Sequence, residues 1–171
     1  MGMSFGPPAN DRWGDHLTRF RVHGSLEQFL AHVARRGSSI GGGSAAAVTA
    51  ALSAALLEKL VVQPQAARRL RRIRQDCLRL AEADAVAFAH AVQAKRQGNR
   101  QAFHRALQRA TRIPQRIVEH ASAIQAACST SKPFVKPQFR SDLRCASALA
   151  KASADSANTL INANLAWLKH S

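Results

Sequence analysis

Ser38-Ser39-Ile40-Gly41-Gly42-Gly43-Ser44-Ala45-Ala46-Ala47 is the stretch on which the fold turns, together with the Ala-, Leu- and Ser-rich run that continues to Val62. Three consecutive glycines make a poor helix or strand interior, because each loses more backbone entropy on folding than any other residue. The residues after them favour helix up to the stop at Pro64. The pattern predicts a glycine turn feeding a helix over 44–62, with Ser44 as its N-cap. Such a start aims unpaired N–H groups and the positive end of the helix dipole at whatever lies in front. Ala45, Ala46, Ala47, Ala50, Ala51, Ala54 and Ala55 give this helix little side-chain bulk, so a second helix or a flat ligand can approach closely. No Lys follows the glycines and no strand precedes them, which excludes a phosphate loop and a dinucleotide fingerprint. A glycine loop capping a core helix, with no ligand, is the plain alternative.

Upstream, Ser25-Leu26-Glu27-Gln28 is a capping-box pattern, followed by Leu26, Phe29, Leu30 and Val33 at helical spacing and by Gly37 at the expected end. Residues 1–20 show no periodicity and read as a loose arm, with Trp13, Leu17 and Phe20 as its docking side chains. The helical domain is expected over 21–171. Downstream, a third helix over about 65–97 carries Leu70, Ile73, Cys77, Leu80, Ala81, Phe88 and Val92 as one apolar stripe. Asp84 lies on that stripe, one turn from both Leu80 and Phe88. A carboxylate there is costly unless it is paired or used. Glu82 points elsewhere and is expected to pair with Arg79 or the arginines before it. Gly98-Asn99 breaks the helix. A fourth runs over about 100–128 with Pro114 as a kink, 129–140 is a Pro-containing loop, and Ser141 caps a last helix with Asp142 in its first turn. The fold class is all-α, a bundle of about five helices. The Ala-rich faces of the second and last helices imply a homodimer.

The chain has 171 residues, no Tyr and 5% aromatics, which favours helix over sheet. Its formal charge of +15 attracts polyanions, whether nucleic acid, an anionic membrane or a substrate with several carboxylates. Arg68-Arg69-Leu70-Arg71-Arg72-Ile73-Arg74 is amphipathic and reads as a solvated face. No helix-turn-helix pattern or aromatic platform accompanies it, so nucleic acid is not the expected partner. The apolar run over 45–62 includes Glu58 and Lys59, which argues against a membrane span. The N-terminus lacks a signal-peptide core, and the cysteines at 77, 128 and 145 are too scattered for a zinc knuckle; both features point to reduced thiols and a cytoplasmic location. Of seven histidines, none pair at i, i+4; His90, His104 and His120 read as surface or rim residues, and no metal is expected.

In order along the chain stand Gly41-Gly42-Gly43-Ser44-Ala45-Ala46-Ala47, Asp84-Ala85-Val86-Ala87-Phe88, Ala110-Thr111-Arg112-Ile113-Pro114, Ser141-Asp142 and Asn164-Leu165-Ala166-Trp167-Leu168-Lys169. This order resembles the cyclodeaminase/cyclohydrolase family over roughly residues 24–170. The resemblance implies an all-helical homodimer acting on the one-carbon unit between N5 and N10 of tetrahydrofolate. It implies Asp84 as catalytic acid/base, with Gly41, Gly42, Gly43, Ser44, Ser141, Asp142 and Asn164 binding substrate. It implies no tightly bound cofactor; the partner is a reduced folate or related pterin, with a polyglutamate tail suited to a basic rim. Trp13 and Trp167 are candidates to stack on a pterin or to pack the terminal arm. The chain departs from the family pattern at Ile40, where Pro is usual, at Arg144-Cys145 after Ser-Asp, and at His170 in place of the closing Asp. A helical dimer that keeps the fold and serves as a binding or accessory subunit is the second reading.

Overall fold

The computed structural model describes residues 26–169, and its long elements are all helices: α1 (Leu26–Ala34), α2 (Gly42–Glu58), α3 (Pro64–Arg96), α4 (Arg100–Ser131) and α5 (Arg140–Lys169). Two single 3-10 turns, Lys132–Phe134 and Pro137–Phe139, connect α4 to α5. The all-α bundle read from the sequence is the fold. The expected boundary at residue 20 and the Ser25 cap lie outside the described residues.

α2 is the central helix. Its residues Ala46, Ala47, Ala50, Ser53, Ala54 and Leu57 are all buried, so it is covered on more than one side. The coverings run antiparallel to it. Ser44 near its start meets Ala81 of α3, while Glu58 at its end pairs with Arg71 and Arg74. Ser53 Oγ donates to the Ala146 carbonyl at 2.6 Å, and Ser153 Oγ of α5 donates to the Ala46 carbonyl at 2.8 Å. Small side chains allow this approach, and the two buried hydroxyls find acceptors on the neighbouring backbone. The alanine face is therefore covered by helices of the same chain. The two helices whose alanine faces suggested a homodimer thus pack on each other within one chain.

The breaks follow local chemistry. Gly37 and Gly98 adopt positive φ of 76° and 68°, the left-handed conformation that glycine takes without strain. Asn99 then caps α4, its side chain accepting from the Ala102 N–H at 2.9 Å. α4 continues through Pro114 and on to Ser131, past the expected end at 128. α5 starts at Arg140, whose N–H bonds the Pro137 carbonyl, so Ser141 sits inside the first turn and is not the cap. On α3 the buried face runs Leu70, Ile73, Cys77, Leu80, Ala81, Ala85, Ala91 and Ala94. Phe88, expected on it, is 44% exposed. Each four-residue step advances about 40° round a helix, so the row from Leu80 through Asp84 to Phe88 drifts out of the core. Among the described residues no helix is long and apolar enough to cross a membrane.

The α2–α5 contact sets a stability expectation. Ser53→Ala should cost about 1 kcal/mol, the net value of one hydrogen bond. Ser53→Leu should cost about 1–3 kcal/mol by overpacking a seam built for small residues. Urea unfolding of the two variants against the parent reads both values.

Candidate active site

The site forms where the start of α2 meets the middle of α3. Gly41 is the residue before α2, and no side chain caps the helix there. The first intrahelical bond is Ala45 N–H to the Gly41 carbonyl at 3.0 Å, so the N–H groups of the first turn need other acceptors. Asp84 supplies one from α3: both the backbone N–H and the hydroxyl of Ser44 lie against its carboxyl group. Ser44 is thus an interior residue of α2 and fully buried, not the N-cap expected from the sequence. The helix starts two residues earlier because a carboxyl from another helix does the capping. Gly43 makes the approach possible. A Cβ at that position would overlap the carboxyl carbon and both oxygens of Asp84.

Asp84 is only partly open to solvent. Beside it, Ala85 packs with Phe29, Ile40 and Val33 in an apolar cluster that closes α1 over the turn. Ile40 N–H in turn donates to Ser38 Oγ at 3.1 Å, which orders the approach to the glycines. Burial pushes the Asp84 carboxyl up to about 6, against the opposing pull of the two Ser44 hydrogen bonds. Among the described residues no cation forms an ion pair with it. Ser44 has one hydroxyl proton, and the Ala81 carbonyl at 2.7 Å takes it in preference to Asp84 Oδ2 at 3.4 Å. A protonated Asp84 can therefore donate to Ser44 Oγ, while an ionised one relies on the backbone N–H. The group changes charge near neutrality and has donors and acceptors for both forms, which suits an acid/base.

The other candidate residues divide by position. Gly41, Gly42, Gly43 and Ser44 lie with Asp84. Gly42 touches Leu160 of α5, whose methyl carbons come within 3.5 Å of where its Cβ would stand. Asn164, one turn beyond Leu160 and half-buried, is at this same end. Ser141 and Asp142 are not. Asp142 pairs with Lys59 at 2.7 Å, at the opposite end of α2. That end is about 25 Å away, the length of a 17-residue helix. α5 runs antiparallel to α2, so its first turn cannot reach the glycines in one chain. Arg144 and Cys145 share that remote end and are exposed; His170 lies outside the described residues, as does Trp13. Trp167 packs near Phe103, with Lys95 Nζ 4.6 Å from its ring centre. Arg79 pairs with Asp76, one turn back on the same helix. His90 and His104 are exposed, whereas His120 is half-buried facing Asp76 at 4.0 Å. Leu160 and the Phe29–Ile40 pair are site neighbours that the sequence reading missed; their only signal is apolar character in a chain full of it.

The formiminotransferase-cyclodeaminase family model matches residues 25–171. The chain is similar to the crystal structure of formiminotetrahydrofolate cyclodeaminase from Thermotoga maritima, with a TM-score of 0.74 and 22% identity. The match covers 84% of this chain and 79% of that one, and at this identity it is a likeness of fold. No curated protein matches the chain in sequence.

Two measurements check the geometry. Gly43→Ala should lower stability even though Ala favours a helix interior by about 1 kcal/mol over Gly. In an Asp84→Ala background the same change should become neutral or stabilising, since the overlapping atoms are gone. For pH, the folded Asp84 holds its proton up to about 6 against an ordinary value of 3.8, so the folded state binds more protons between those values. The wild type should therefore lose stability relative to Asp84→Asn as pH rises from 4 to 6, and gain relative to it on acidification.

Proposed function

Because the chain belongs to the formiminotransferase-cyclodeaminase family, we propose that it opens or closes the one-carbon bridge between N5 and N10 of a reduced folate or related pterin. In the deaminating direction N10 attacks the formimino carbon, loses its proton, and ammonia departs after protonation. In the hydrolytic direction water adds to the methenyl carbon and one ring nitrogen leaves with a proton. Both routes pass through a tetrahedral carbon, and both need one group that takes a proton and returns it. The observation that supports Asp84 in this role is its desolvated carboxyl, held up to about 6 beside the first-turn N–H groups of α2. Those N–H groups and the dipole behind them suit negative charge on the substrate. Asn164, half-buried at the same end, is the proposed polar contact from α5, and the +15 surface suits the carboxylates of a polyglutamate tail. Ser141 and Asp142 enter this reading only from a second subunit, which makes a homodimer part of the proposal.

A specific observation also favours the accessory reading. Capping α2 is a structural task that Asp84 performs whether or not chemistry follows. Asp84→Asn separates the two. An acid/base role predicts a loss in turnover of roughly a hundredfold or more with the fold retained. With Asp84 as the base of the first step, kcat/KM should rise with pH through about 6 and level above it. A wild type that turns over neither formimino- nor methenyltetrahydrofolate, together with a variant that melts much earlier, would leave only the capping role.

A further inference from the structure

At the end of the bundle remote from Asp84 the helices part around a groove of about 790 Å³. Its floor is Leu70 and Ile73 of α3 with Ala127 of α4, and its rim includes Val62, Phe134 and Arg69. The space exists because α4 presents Ala123, Ala126 and Ala127 to the groove, where larger side chains would fill it. Val62 and Phe134 are 80% and 69% exposed at its edge. The volume lies within the range of sites that enclose a small molecule, roughly 300–1,000 Å³.

The charge at the rim is one-sided. Arg69 is the only ionisable side chain among the lining residues. Arg71 and Arg74, on the next turn, are both held by Glu58. Arg69 has no ion pair among the described residues. Its guanidinium is a planar fork matched to a carboxylate. A second copy of the chain offers few partners for Arg69 itself, since it carries 25 Lys and Arg against 10 Asp and Glu. A long polyanion is less suited to the groove itself, because Arg69 is the one charged side chain that lines it. We propose that this groove is a second binding site, separate from the Asp84 site, for a small amphipathic carboxylate whose hydrocarbon body lies on Leu70, Ile73 and Ala127 and whose head pairs with Arg69.

Decanoate is the probe and decanol its neutral counterpart, titrated by calorimetry into the full-length protein. Decanoate should bind saturably, one per chain, and more tightly than decanol. Arg69→Gln should weaken decanoate at least tenfold, the value of a lost charge-assisted bond, while changing decanol less than about twofold. Val62→Glu, a change at an exposed position that puts a like charge beside the head group, should show the same split. Asp84→Asn should leave decanoate binding unchanged. Absence of saturable binding would overturn the proposal, as would equal affinity for acid and alcohol or an Arg69→Gln variant that binds decanoate normally. So would light scattering in which decanoate only splits an oligomer, because the groove would then be an interface between copies.

Discussion

The start of α2 has no cap of its own, and the Asp84 carboxyl from α3 supplies one. Much of the architecture answers to that contact. It requires Gly43, because any side chain there would occupy the space of the carboxyl. It sets how far α3 slides along α2, since Ser44 meets Ala81 and Asp84 together. It also leaves an acid in a drying environment, where the Phe29–Ile40–Ala85 cluster keeps water off one side. A local Ser or Asp cap would stabilise the same helix end at less desolvation cost. A cross-helix cap is instead a titratable group whose two forms are both hydrogen-bonded, and that is the property an acid/base needs.

Much of the fold was legible in the sequence because its signals are local. Gly37, Pro64 and Gly98-Asn99 punctuate the chain by backbone rules that need no tertiary knowledge. Asp84 stood out for a similar reason, as a charge within an apolar period. The readings that failed depend on how helices meet. Ser44 satisfies every local criterion of an N-cap, and only the presence of α3 makes it an interior donor. Ser141 and Asp142 are a different case, since the antiparallel course of α5 sets them a helix length from Asp84 within one chain and a second subunit is what would bring them to it. Phe88 was misplaced because steps of four residues follow a helix face only briefly. An alanine face announces close packing without saying whose helix packs on it. A groove is harder still to read, since Ala123, Ala126 and Ala127 mark it by volume they lack.

The two ends of the bundle are built on contrasting principles. Around Asp84 the approach is tight, with glycine against carboxyl and leucine against glycine, and the charge is sheltered. Around Arg69 the helices stand apart, a hydrocarbon floor is edged by Gln63, Gln65, Thr130 and Ser131, and the charge is at the rim. α2 spans the two, and its buried alanines and serines hold the ends in fixed relation.

The seam between α2 and α5 also bears on how the chain reaches its fold. The hydroxyl bonds that close it join residues 93 and 107 positions apart. The central helix therefore leaves the ribosome well before the helix that covers it. At about 5–20 residues per second, that interval is roughly 5–20 s. During that time α2 can be sheltered by α3 and α4 but not by α5. A face made of alanine and serine presents little hydrocarbon while it waits, so the composition that permits close packing also limits misassociation during synthesis.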